Sequence, residues 1–166
     1  MKEIYILTGP VRSGKTTKLT EWCEKQDNVD GILAPVVNGV RYLHHFVSGD
    51  QQRLETENSN EATVKIGRYN FDQKVFEWAR ERLSSLKLKK LHWLIIDEIG
   101  PLELREQGLE SAVSMILDHR SDYHNLSVIL VVREQLLQDV IGHYQLTNIK
   151  LHIIRDVDVL QDTLGR

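Results

Sequence analysis

The run Gly9-Pro10-Val11-Arg12-Ser13-Gly14-Lys15-Thr16 has glycine, glycine, lysine and a hydroxyl residue at the four fixed positions of a Walker A loop. Each residue type answers a need of phosphate binding. Glycine lets the main chain wrap closely around an anion, so that successive N–H groups point inward. The helix that follows aims its positive end at the same place. Lys15 can reach the β- and γ-phosphates of a nucleoside triphosphate, and the Thr16 hydroxyl can ligate Mg²⁺. Arg12 lies inside the loop, where contact with a phosphate oxygen and a solvent-facing position are both open to it.

A second constellation suits the first. Leu94-Ile95-Ile96-Asp97-Glu98 is an apolar strand ending in two acids, the Walker B arrangement. An acid at the carboxyl end of a central strand faces the crevice where α/β sheets bind ligands. Asp97 is therefore expected to hold Mg²⁺ through a water, opposite Thr16. Adjacent residues of an extended chain point different ways. Glu98 can then face the γ-phosphate and polarise an attacking water. Arg133 ends the apolar stretch Leu126 to Val132 and would emerge near the same crevice. A cis arginine on the γ-phosphate can be worth ~10³-fold or more in rate; the alternative is a solvated strand-end arginine.

These groups need elements to carry them. Ile4 to Thr8 reads as a short buried strand, and Lys15 to Lys25 as a helix with Leu19, Trp22 and Cys23 on one side. Gly31 to Glu57 is β-rich, with Asn38-Gly39 a strong hairpin signal before a strand over Val40 to Val47. It reads as a β-hairpin insertion (about 31–57) at one side of the main sheet. The segment 57–61 reads as polar loop. Phe71 to Leu86 has the spacing of a helix, capped by Asn70 or Asp72. The remaining pattern is strand at Trp93 to Asp97, helix at Glu103 to His119, strand at Leu126 to Val132, helix at Glu134 to Ile141 and strand at Ile149 to Ile154. Buried strands separated by helices predict an α/β fold, a mostly parallel sheet flanked by helices. No repeat or linker divides the 166 residues, which are expected to form one domain, 1–166.

Composition excludes more than it assigns. At 41% hydrophobic and 27% charged residues the chain has the make-up of a globular protein. A net charge of −3 gives no bulk reason to expect a nucleic-acid partner, and Lys87, Lys89 and Lys90 read as a solvated helix end. Cys23 is alone, which rules out an intrachain disulfide and suits a reducing compartment. With no secretory leader and no apolar run of ~18 residues, the expected location is cytoplasmic, away from membranes. His44-His45 invites a metal reading, but neighbours in a strand face opposite ways and cannot easily share an ion. Trp22, Trp78 and Trp93 read as core residues.

With those residues in hand, the chain resembles the small P-loop nucleoside-triphosphatase family, the cancer-related or thermophilic nucleoside-triphosphatases. Gly9 to Thr17, with its doubled threonine, is the phosphate loop. Asp97-Glu98-Ile99-Gly100-Pro101-Leu102-Glu103-Leu104 is similar to the family's extended Walker B segment. Ile66-Gly67-Arg68-Tyr69-Asn70-Phe71-Asp72 is similar to its apolar-Gly-x-Tyr-x-apolar segment. The resemblance implies a P-loop fold and Mg²⁺-dependent hydrolysis of ATP, GTP and other nucleoside triphosphates to diphosphates. It implies a nucleotide site at Gly9, Pro10, Val11, Arg12, Ser13, Gly14, Lys15, Thr16 and Thr17, a metal site at Thr16 and Asp97, and catalysis by Lys15 and Glu98; Arg133 joins the catalytic candidates on its strand-end position alone. No Asn-Lys-x-Asp guanine reader is present, in keeping with weak base selectivity. The chain departs from the family at Val36 and Asn38, where a Glu and an Arg are common, and at Asn70 in place of a frequent Gly. Two other readings share the phosphate loop: a nucleotide or small-metabolite kinase, and a nucleotide-dependent switch module.

Overall fold

The computed structural model describes residues 1–10, 12–57 and 62–163. Val11 of the phosphate loop and most of the polar 57–61 segment lie outside them.

The chain opens with β1 (Glu3–Leu7), α1 (Lys15–Cys23) and β2 (Val29–Leu33). Four short strands follow as β3 (Val36–Val37), β4 (Val40–His45), β5 (Gln51–Arg53) and β6 (Glu55–Thr56). Next come the pair β7 (Thr63–Ile66) and β8 (Tyr69–Asp72), and α2 (Gln73–Ser85). The second half is β9 (Trp93–Ile99), α3 (Ala112–Asp118), β10 (Ser127–Val132), α4 (Leu137–His143), β11 (Leu151–Ile154) and α5 (Asp158–Thr163).

The main sheet runs β11-β1-β10-β9-β2-β4-β3, with β5 also on β4. From β11 to β2 every pairing is parallel, and the β4 hairpins add an antiparallel edge. A second sheet runs β6-β8-β7. Helices cover both faces of the parallel strands, and the alternation along β1 shows how. Ile4 and Ile6 join the core shared with α2, α3 and α4, while Tyr5 and Leu7 join the one shared with α1 and Val157 and Leu160. The fold is thus α/β of the expected kind. The first strand of the β-rich stretch, β2, is itself a parallel strand on β9, and the hairpins follow it. Gly31 permits that pairing. A Cβ there would lie 2.0 Å from the Ile95 carbonyl oxygen, so no larger residue fits between the strands.

Three elements differ from their sequence patterns. Glu103 to His119 is not one helix. Glu106, Gly108 and Ser111 take positive φ, so a 3-10 turn over Glu103–Arg105 and a loop precede α3. Leu109, Val113, Ile116 and Leu117 are buried nonetheless. Phe71 lies in β8, and the helix starts two residues later, where Asp72 accepts from the Lys74 N–H at 2.9 Å as the cap. Glu134 to Leu136 is a 3-10 turn, with the α-helix beginning at Leu137.

Candidate active site

The strand order decides which tips meet. β10 lies between β1, which leads into the phosphate loop, and β9, which carries the acids. Arg133, at the end of β10, therefore leaves the sheet between the two motifs. All three strands are parallel, so their carboxyl ends share one edge.

Gly9 continues β1 and is buried, whereas Pro10, Arg12 and Ser13 are exposed. Gly14 precedes α1 in left-handed backbone, φ 80°, which suits a residue without a Cβ. Lys15 folds back over the loop. Its Nζ donates to the Pro10 carbonyl at 2.6 Å, the Gly9 carbonyl at 3.2 Å and Ser13 Oγ at 3.2 Å. Burial, chiefly, holds its pKa below the usual lysine value, opposed by the charge of Asp97. Thr17 is exposed, and Arg12 takes φ 60°.

The loop and the acid strand meet directly. Thr16 Oγ1 donates to Asp97 Oδ2 at 2.8 Å, and the Ala34 N–H donates to the same oxygen at 3.0 Å. Asp97 is 2% exposed. Burial raises its pKa, against the lowering pull of the Ala34 and Thr16 hydrogen bonds and of Arg41 and Lys15. A hydroxyl and a carboxylate are hard oxygen ligands of the kind Mg²⁺ takes. No three His, Cys, Asp or Glu side chains cluster as ligands among the described residues.

Glu98 faces elsewhere, as its neighbour position suggests, but through a device the pattern does not reveal. The β9–β10 ladder slips between Leu130↔Ile96 and Val132↔Ile99, so two residues of β9 oppose one of β10. Glu98 takes φ 69° at this bulge, an uncommon conformation for a non-glycine residue. Its Oε1 accepts from Arg133 Nη2 at 3.0 Å, and its Oε2 pairs with Arg41 Nη1. Arg133 thus rests on a carboxylate. Arg41 was not singled out by the sequence; its only signal was a charge in the strand after Asn38-Gly39. Burial, then the charge of Arg133, lowers its pKa.

A pocket of about 40 Å³ adjoins these groups, with Arg41, Asp97, Glu98 and Arg133 at its polar end and Phe71, Phe76 and Leu102 in its wall. That is room for water and well short of the ~300 Å³ of small-molecule sites. Glu103 closes the loop behind. Its carboxylate accepts from the Gly100 N–H at 2.8 Å and the Leu109 N–H at 2.9 Å, and burial pushes its pKa up to about 7. The Tyr69 segment supplies the stacked pair Tyr69–Phe71 rather than a helix turn. His44 and His45 lie opposite Leu33 and Ile32 in the β2–β4 ladder. His45 Nε2 lies 3.2 Å from Asp30 Oδ1. Trp22 and Trp93 are buried and meet edge to face at 5.0 Å, while Trp78 is partly buried against the core.

A family model described as NTPase matches residues 4–157. No curated protein matches the chain. Among solved structures, THEP1 from the hyperthermophile Aquifex aeolicus is similar with a TM-score of 0.70 and 19% identity, over 99% of this chain and 96% of that one. A human cancer-related nucleoside triphosphatase is similar with a TM-score of 0.68 and 17% identity, over 100% of both chains. At these identities the structural likeness is one of fold, and the family model carries the assignment. The chain belongs to the NTPase family, the small P-loop nucleoside-triphosphatases that its three sequence stretches resemble.

Proposed function

We propose that this protein hydrolyses nucleoside triphosphates, ATP and GTP among them, to the diphosphate and phosphate with Mg²⁺. The observation that carries the reading is the Thr16–Asp97 hydrogen bond, which brings the phosphate loop and the acid strand to one point. Main-chain N–H groups of the loop from Gly9 to Thr17, Pro10 excepted because it has none, and the Lys15 ammonium would bind the β- and γ-phosphates. Thr16 and Asp97 would hold the ion, which when bound offsets charge on the phosphate oxygens. Glu98 orients a water and takes its proton as the water oxygen bonds to the γ-phosphorus. The bond from that phosphorus to the bridging oxygen breaks, and the diphosphate leaves. Arg133, half-exposed and one hydrogen bond from Glu98, can turn to the γ-phosphate and offset its charge.

No helix among the described residues is long and apolar enough to cross a membrane, and the single buried cysteine suits a reducing cytoplasm. Phosphate release from ATP, GTP, CTP and UTP, with and without Mg²⁺ and with no added acceptor, tests the proposal. Release from several bases, dependent on Mg²⁺, is expected. Transfer that appears only when a hydroxyl-bearing metabolite is supplied would make the chain a kinase instead.

A further inference from the structure

Glu98 is held by two guanidiniums, one on each carboxylate oxygen. They differ in setting. Arg133 ends β10, and its side chain is 40% exposed; Arg41 projects from β4 with 20% of its side chain exposed. Arg41 also leans toward Glu55 of β6, Nε to Oε1 3.7 Å. The ladder does not need it there, because β4 pairs through its backbone with β2, β3 and β5. Setting one arginine beside another in a half-buried pocket is unfavourable unless a carboxylate compensates both.

We infer that Arg41 is a positioning residue: it stays on Glu98 Oε2 and fixes the carboxylate's direction, while Arg133 leaves Oε1 for the γ-phosphate. This rests on the hydrolytic reading above. A triphosphate brings negative charge next to Glu98, which alone would be pushed away by like-charge repulsion. Arg41, on Glu98 Oε2 and with Glu55 Oε1 3.7 Å from its Nε, offsets that repulsion. When Arg133 turns, Oε1 becomes free to accept from water, with the carboxylate still aimed. A displacement of 1 Å at such a group can cost ~10²-fold in rate, so the second cation has a definite purpose. Arg41 lies opposite Val36 in the β3–β4 register.

The test combines phosphate release with calorimetry of a non-hydrolysable Mg²⁺-triphosphate analogue on the parent, Arg41→Gln, Arg41→Lys and Arg41→Ala. In Arg41→Gln, kcat is expected to fall on the order of 10²-fold, with KM and analogue affinity essentially unchanged. Arg41→Lys keeps the charge without the planar fork and should recover part of the rate. Millimolar guanidinium should raise kcat of Arg41→Ala and leave the parent unaffected. An unchanged kcat in Arg41→Gln, or a KM rise as large as the kcat loss, would overturn the inference. Should Arg41→Gln not fold, Arg41→Lys decides: a reduced kcat at the parent's KM supports the role, and parent kinetics overturn it. If the parent itself released no phosphate, the hydrolytic reading would fail separately. The Arg41–Glu98 pairing would then be judged by urea midpoints of Arg41→Gln, Glu98→Gln and the double variant. A double variant that loses less than the sum of the single losses supports it, and additive losses refute it.

Discussion

The Thr16 hydroxyl donates to the Asp97 carboxylate across 81 residues of chain, at 2.8 Å. The Ala34 N–H shares the same oxygen at 3.0 Å. One buried carboxylate oxygen therefore ties the start of α1, the end of β2 and the end of β9 together.

Asp97→Asn should separate metal binding from folding. An amide oxygen can accept from both Thr16 and Ala34, and a neutral group costs less to bury than a charged one. The variant is expected to melt no lower than the parent in EDTA, and to lose the tightening of triphosphate binding that Mg²⁺ gives the parent. Differential scanning calorimetry in EDTA checks the first half, and the same scan with a non-hydrolysable triphosphate, with and without Mg²⁺, checks the second. Destabilisation in EDTA would show that the charge itself supports the fold.

Lys15→Ala should act on affinity. The ammonium donates to main-chain carbonyls of its own loop, partners it can exchange for phosphate oxygens. A hydrogen bond to a charged group is worth about 1.5–3 kcal/mol, so triphosphate affinity should drop roughly 10- to 100-fold. Isothermal titration gives the number, and unchanged affinity would place the lysine outside the site.

Glu103 makes stability depend on pH. Its carboxyl ionises near 7 in the folded chain against an ordinary value of 4.5, because burial disfavours the charge. Between those two pH values the folded state holds more protons than the unfolded one. This group's contribution is therefore largest below about 4.5 and is lost as pH rises to about 7. Glu103→Gln removes the titration but cannot accept from both the Gly100 and Leu109 N–H groups. The parent should be more stable than the variant at pH 5, and the difference should shrink by pH 7.5. Urea unfolding across that range measures it; a difference that widens with pH would contradict the assignment.

Gly31→Ala should disrupt the sheet. The added Cβ would meet the Ile95 carbonyl oxygen at 2.0 Å, in a central pairing with no flexible side chain to give way. The cost is expected at about 3 kcal/mol, the upper part of the range for overpacking. Chemical denaturation checks it, and a loss under about 1 kcal/mol would mean that β2 and β9 separate easily.

How much of this could be read from residue order alone follows from the range of the forces involved. The phosphate loop was legible because its chemistry is local: Gly9, Gly14, Lys15 and Thr16 lie within one turn and one helix start. Asp97 and Glu98 were legible as the polar end of an apolar strand. The bulge that turns Glu98 aside was not, since it arises from register between β9 and β10. Arg41 was missed because only the β3–β4 hairpin and the fold of β2 onto β9 bring it to Glu98. The hairpin of β7 and β8 went unseen because Phe71 continues the apolar spacing of α2 backward. Conversely, Leu109 to Leu117 keep a helical spacing that extended the expected helix back through Gly108, where the backbone takes φ 65°. Burial was right and continuity was wrong, because periodicity reports which side faces the core and not whether the chain stays helical.

Glu98→Gln tests the central claim most directly. The amide keeps the size of the side chain but cannot take a proton from water. With each Mg²⁺-triphosphate, the variant should bind as tightly as the parent and release phosphate on the order of 10²-fold more slowly or less. A Glu98→Gln protein that hydrolyses at the parent rate, or a parent that shows neither binding heat nor phosphate release with any Mg²⁺-triphosphate, would contradict the account.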